Sequence, residues 1–180
     1  MKPDDILSFW FSEQARPYWF ASTADFDREV TACFHSTWQA AATGDLDAWA
    51  DSPAGALALV IVLDQFPLHM FRGRAEAFST EARARAVTRR ALARHWDQSL
   101  APEQRAFLYL PLMHSESPVD QEDSVALYEA LGQAESLYWA QHHRELIRRF
   151  GRFPHRNAVL GRVSTPQEEA YLASAEAFRG

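Results

Sequence analysis

Two stretches of this sequence, Ala54 to Leu63 and Phe107 to Met113, are apolar on every side of a helical wheel. A helix without a polar face has to be enclosed, so a chain carrying two of them must pack other helices around both. The longer run is only about half of what a membrane-spanning helix needs. Strand signals are nearly absent: there is no sustained apolar/polar alternation, and no Asn-Gly or Asp-Gly dipeptide between β-branched runs.

Helix signals fill the rest of the chain. Asp5 to Phe11 opens with acids that suit a helix N-terminus. The aromatic groups Phe9-Trp10-Phe11 and Tyr18-Trp19-Phe20 read as core anchors. From Asp25 to Ala42 the positions Phe26, Val30, Cys33, Phe34, Thr37 and Trp38 recur at three and four, and Gly44 is placed to end the helix. Cys33 falls on that stripe, which predicts a buried structural thiol. Ser52-Pro53 is a cap followed by a first-turn proline, and Pro67 is expected to push Phe66 out of the helix. Thr80 to Trp96 carries Arg83, Arg85, Arg89, Arg90 and Arg94 on what reads as a solvated face, with a phosphate-binding surface as the alternative. Pro102 opens the second apolar helix, and Pro111 kinks or ends it. Ser117-Pro118 opens another helix. In Ala134 to Phe150 the core stripe is Trp139, His143, Leu146, Ile147 and Phe150. Thr165-Pro166-Gln167-Glu168 is a capping box for a last helix running to about Phe178.

These signals predict an all-α fold of about eight to ten helices in antiparallel pairs, as a bundle or a stacked array, within a single domain over residues 1–180. Apolar residues make up 47% of the chain, enough to bury a core of that size. A net charge of −6 offers no basic footprint, which argues against nucleic acid and membrane surfaces as partners. The single cysteine excludes an intramolecular disulfide and Cys-type zinc sites, and Asp4-Asp5 interrupts any signal peptide, so a cytoplasmic protein is expected. No phosphate-binding glycine loop, dinucleotide fingerprint, Gly-x-Ser-x-Gly elbow, His-Glu-x-x-His helix or Glu-x-x-His pair occurs. No cofactor and no metal are therefore expected.

Three segments place ionisable groups at the ends of buried elements: Asp64 to Gly73, His114-Ser115-Glu116, and Phe153 to Asn157. Asp64, read as the last-turn carboxylate of an apolar helix, requires a cation or donor, with Arg72 and His69 nearest in sequence. His114 closes the other apolar helix, where the dipole favours an imidazolium, and Glu116 can orient it. His143 lies on an apolar stripe and reads as a core histidine with one nitrogen satisfied, while His142 reads as an exposed flank residue. If the two apolar helices run the same way, their polar ends share one rim. The alternative is a buried ion-pair network joining loops to the core.

At these same segments the sequence resembles a bacterial family, domain-of-unknown-function family 924, over nearly its whole length. The strings that carry the resemblance are Leu63-Asp64-Gln65-Phe66-Pro67 with Met70-Phe71-Arg72-Gly73, Tyr109 to Glu116, and Phe150 to Asn157 with Leu160-Gly161-Arg162. The resemblance implies a helical array similar to tetratricopeptide repeats and implies no activity. Relatives are expected to carry another polar residue where His69 stands, which discounts His69 as a catalytic group. Three functions fit. The first is a module binding a small anionic ligand or a peptide end through Arg72, Arg156 and Arg162, with His114, His143, His155 and Asn157 lining the site. The second is a cofactor-free or metal-assisted hydrolase using Asp64 or Glu116 with His114 or His155. The third is a protein-interaction scaffold.

Overall fold

The structure, a computed structural model, describes residues 1–178. Among them there is no strand, and the chain is all-helical. The α-helices are α1 (Pro3–Trp10), α2 (Ala24–Thr43), α3 (Pro53–Val60), α4 (Phe66–Met70), α5 (Glu81–Ala93), α6 (Pro102–Met113), α7 (Pro118–Leu131), α8 (Ala134–Phe150) and α9 (Pro166–Leu172). The chain forms two compact units. The first comprises Met1–Arg72 and Glu76–Pro111; the second comprises Gly73–Ala75 and everything from Leu112 onward.

In the first unit, α3 is buried on every side from Gly55 to Val60, as its composition demands. It packs against α1 and α5, while α2 packs against α4. Ser52 caps α3 by accepting from the Gly55 N–H at 3.1 Å. A Cβ at Gly55 would stand 2.0 Å from the Trp49 carbonyl oxygen, so no larger residue fits there without moving backbone. At the end of α2, Gly44 takes the left-handed conformation (φ 96°) that closes a helix most cheaply without a Cβ.

Pro67 does not end the helix. A π-turn, Ile61–Gln65, links α3 to α4, Phe66 keeps helical dihedrals (φ −57°, ψ −40°), and helix runs from Pro53 to Met70. That stretch is long and apolar enough to cross a membrane, yet 78% of it is buried inside the fold, as a core helix would be. The wider π-turn makes room for the proline ring, which would otherwise meet the carbonyl one turn back. Pro67 has no N–H for the Leu63 carbonyl, and the Thr80 hydroxyl donates to that oxygen at 2.6 Å. Trp38 Nε1 in turn donates to Thr80 Oγ1 at 3.3 Å. Thr88, two turns further along α5, donates to the Leu108 carbonyl of α6 at 2.9 Å. One helix thus supplies side-chain donors to both apolar helices.

Two further expectations from the sequence fail here. Cys33 is exposed, because the buried stripe of α2 runs Phe26, Val30, Phe34, Thr37, Ala41 and leaves position 33 a helical step of about 100° away. Of the aromatic anchors, Trp10 is fully buried but Phe20 is 79% exposed. Thr80 precedes α5 without a side-chain cap bond to it, its hydroxyl being committed to the Leu63 carbonyl.

In the second unit, α7 and α8 are joined by Gly132 and Gln133 alone and pack against each other as a helical hairpin. Ser117 makes no side-chain cap for α7; instead Ser115 accepts from the Ser117 N–H at 3.2 Å and donates to Asp120 at 2.6 Å. Gln121 is fully buried, and its amide donates to the carbonyls of Met113 (2.6 Å) and Ser115 (2.7 Å), closing the C-terminal end of α6. The core holds Leu146, Ile147, Phe153 and Tyr171. Trp139, expected in that core, is 38% exposed at its edge. The capping box of α9 forms as its sequence requires, but α9 ends at Leu172 rather than near Phe178. Beyond it the chain turns back, with the Phe178 N–H donating to the Tyr171 hydroxyl at 2.8 Å.

Candidate functional site

The second unit gathers His114, Glu116, His143, His155, Arg156, Asn157 and Arg162, while Asp64 and Arg72 belong to the first unit. In the second unit the organising contact is an ionic clamp on one backbone position. Arg162 forks onto Glu116, with Nη1 to Oε2 at 2.7 Å and Nη2 to Oε1 at 3.0 Å. The same two side chains hold Phe153: its N–H donates to Glu116 Oε1 at 2.8 Å, and its carbonyl accepts from Arg162 Nη2 at 3.1 Å. Partial burial works to raise the Glu116 pKa, but the hydrogen bonds from Arg162 and from the Phe153 N–H outweigh it and hold the carboxyl below its ordinary range. A second fork, Arg152 on Glu168 at 2.7 and 2.8 Å, fixes the turn from its other end. Glu168 also accepts from the Thr165 N–H at 2.7 Å in the capping box. Arg152, first, and that N–H bring the Glu168 pKa down to about 2.

Held this way, Phe153 is fully buried with its ring facing two imidazoles, 5.4 Å from His143 and 5.6 Å from His155 by centroids. The Arg156 guanidinium lies 4.7 Å over the same ring. His143 is buried on α8, and its Nδ1–H donates to the Trp139 carbonyl at 2.8 Å, which fixes the ring. His114 stands 6.5 Å from it. Burial, with His114 beside it, pushes the His143 pKa down to about 3. Burial and then the Arg156 charge bring His155 to about 3 as well. Both imidazoles are therefore neutral at neutral pH, offering hydrogen-bonding nitrogens without charge.

Several polar atoms of this turn are buried with no partner among the described residues: His155 Nδ1, Asn157 Oδ1 and Arg162 Nε, together with His142 Nε2 on α8. His142, read from the sequence as an exposed flank residue, is only half-buried and turns this nitrogen inward. Asn157 is otherwise well anchored, its amide donating to Ser164 at 3.1 Å and its carbonyl accepting from the Arg162 N–H at 2.8 Å. Buried polar atoms nearly always find a partner, so a cluster of exceptions marks a place for water or a ligand.

In the first unit, Asp64 lies inside the π-turn rather than at a helix end, and it accepts from the Gln65 side-chain amide at 2.6 Å. Arg72 and His69 both meet Asp27 instead. Arg72 forks onto it at 2.7 and 3.2 Å, and Ser22 donates to it at 2.7 Å. His69 Nδ1 lies 2.9 Å from Asp27 and 3.1 Å from Ser22. Burial opposes the Asp27 charge, but hydrogen bonds from Arg72, Ser22 and His69 prevail and bring its pKa to about 2. The three residue types suggest a nucleophilic triad, but serine and aspartate share one ring nitrogen. A relay needs the base to meet its nucleophile and its orienting acid on opposite nitrogens, so this cluster ties α2 to α4. Among the described residues, no group of three or more His, Cys, Asp or Glu side chains could hold a metal ion.

Asp27, Ser22 and Phe178 escaped notice in the sequence. An acid in the first turn of α2 is adequately explained by the helix dipole, and nothing local announces a partner 45 residues away. The visible signal for Phe178 was its isolation, as the large apolar residue in a tail of small and polar ones.

Residues 6–176 match a family described as "Bacterial protein of unknown function (DUF924)". Among solved structures, the chain is similar to a protein of unknown function, ATU0120 from Agrobacterium tumefaciens, with 38% identity and a TM-score of 0.91, over 95% of this chain and 96% of that one. No curated protein matches.

Proposed function

We propose that this chain, which belongs to the bacterial DUF924 family of unknown function, is a binding module whose second unit holds a small polar ligand or a peptide end at the turn from Phe153 to Arg162. The observation that carries this is the set of buried hydrogen-bonding atoms without partners among the described residues, His155 Nδ1, Asn157 Oδ1 and Arg162 Nε, all from one turn that two ionic forks hold. Leaving each such atom unsatisfied costs roughly 1–3 kcal/mol, which a ligand with matching donors and acceptors would recover. A rigid site also spends little ordering itself on binding.

The charge arrangement shapes the ligand. The fork of Arg162 is already engaged by Glu116, so the site offers an anion less net charge than its arginines suggest. A ligand with a single carboxylate or an amide, as at the end of a peptide, suits it better than a phosphate. Hydrolysis with Glu116 as base is disfavoured, because that carboxylate accepts from Arg162 and from the Phe153 N–H and is held in its ionised, weakly basic form.

The test is thermal unfolding and calorimetric titration against dicarboxylates, phosphorylated metabolites, amino-acid amides and short peptides, with wild type, His155→Ala and Asn157→Ala. A ligand at 100 times its dissociation constant stabilises by about 2.7 kcal/mol. Stabilisation of wild type by a carboxylate or amide ligand, lost in both variants, supports the site. Variants that unfold earlier, in a protein no ligand stabilises, would make the turn purely structural.

A further inference from the structure

We infer that the pocket lined by His143 and His155 is a receptor for an aromatic side chain of a peptide, and that Phe178 of this chain occupies it as a built-in competitor. The inference rests on the binding function proposed above and names its ligand class. The Phe178 ring sits 4.7 Å from the His143 centroid and 5.0 Å from His155, at interplanar angles of 66° and 79°. Trp139 at 5.8 Å and His142 at 6.0 Å complete the surround. These are the tilted and edge-to-face arrangements that aromatic pairs prefer.

The pocket is built without help from its occupant. Trp139, His142 and His143 project from α8, and His155 from the short turn Pro154–Arg156. His143 is fixed by its bond to the Trp139 carbonyl, and Phe153 beneath it by the Glu116–Arg162 clamp. The occupant packs with Ala177 against the core of Leu146, Ile147, Phe153 and Tyr171, but it is carried on a segment outside any helix. Past Leu172 the tail has no regular helix, and its backbone N–H groups donate from Ala173 to Glu169 O at 3.0 Å, from Ser174 to Tyr171 O at 2.9 Å, from Ala177 to Ser174 O at 3.4 Å and from Phe178 to the Tyr171 hydroxyl at 2.8 Å. Phe178 itself is only half-buried.

The polar chemistry of the walls exceeds what a phenyl ring can use. His155 Nδ1 and His142 Nε2 are buried beside it without partners among the described residues, and a phenyl ring has no group to give either. A separate peptide entering with an aromatic side chain would bring backbone N–H and C=O groups free to meet those two nitrogens, whereas the N–H of Phe178 itself is given to the Tyr171 hydroxyl. Among the described residues, the tail therefore fills the pocket's shape and leaves those two nitrogens without a partner. A partner peptide satisfying both would displace it.

The test uses the full chain, as wild type, Phe178→Ala and Phe178→Leu, and a fluorescein-labelled hexapeptide copying residues 173–178, with a control peptide ending in alanine. A tail that fills the pocket about nine-tenths of the time lowers apparent affinity for a competitor about tenfold. Phe178→Ala is therefore expected to bind the phenylalanine peptide about tenfold more tightly than wild type, with Phe178→Leu between them and the alanine peptide bound by none. Equal affinity for all three proteins would overturn the competition. If that equal binding were also lost in His155→Ala, the site proposed above would survive. Absence of binding to a Phe178→Ala protein that melts cooperatively would overturn the inference outright, leaving the small-ligand panel to decide the site on its own.

Discussion

The hydroxyl of Thr80 donates to the Leu63 carbonyl at 2.6 Å, the oxygen that Pro67, lacking an N–H, leaves without its helical donor. The proline, the π-turn and the threonine thus form one device, in which a buried helix bends without exposing an unsatisfied backbone group. Thr80→Val keeps the shape and deletes the donor, and should cost about 1–3 kcal/mol, whereas Thr80→Ser should cost markedly less. Urea denaturation of the three proteins reads this directly; indistinguishable midpoints would mean that the carbonyl has another partner.

At Gly55 the requirement is for space. A Cβ would lie 2.0 Å from the Trp49 carbonyl, a backbone atom in the turn that leads into α3. Gly55→Ala, normally favourable within a helix, should instead destabilise by about 1–3 kcal/mol, because backbone must shift to admit it. A gain in melting temperature would contradict the packing described.

Acid should weaken the second unit through its histidines. His143 and His155 have folded-state pKa values of about 3 against an ordinary 6.5, so between those values the unfolded chain binds more protons than the native one. Their contribution is intact above about pH 6.5 and is lost as pH falls toward 3, at roughly 1.4 kcal/mol per pH unit for each group. By pH 5 each should have cost about 2 kcal/mol, and His143→Gln should flatten part of the slope. Stability measured by urea between pH 7.5 and 5 tests this; a level profile would require both imidazoles to titrate normally.

Glu116 joins Arg162 to both backbone groups of Phe153, so its loss should be felt beyond the ion pair. Glu116→Gln should cost about 2–4 kcal/mol, and the double variant with Arg162→Gln less than the sum of the two singles, since each removes the same clamp. Additive losses in a double-mutant cycle would mean that the two side chains act separately.

Cys33 is exposed on α2, and native protein should react with a thiol reagent to one equivalent without added denaturant. Reaction only in urea would restore the buried thiol that the helical spacing suggested.

Much of this fold is legible in the sequence because the signals for it are local. Apolar residues on every side of Ala54–Leu63 demand burial wherever that helix lies, Ser52-Pro53 caps α3 from adjacent positions, and Thr165 and Glu168 build their capping box within four residues. The histidine on the α8 stripe is likewise a core residue with one nitrogen satisfied, four residues back along its own helix. What the tertiary structure alone decided are the pairings between distant segments. Arg72 chose Asp27 over the nearer Asp64, Glu116 chose Arg162, Thr80 chose a carbonyl, and Phe178 left a helix that its sequence would continue to reach His143. Each of these rests on a side chain meeting a group brought close by packing. A single chain's sequence records the residue types but not which of several equivalent charges or rings will arrive within bonding distance.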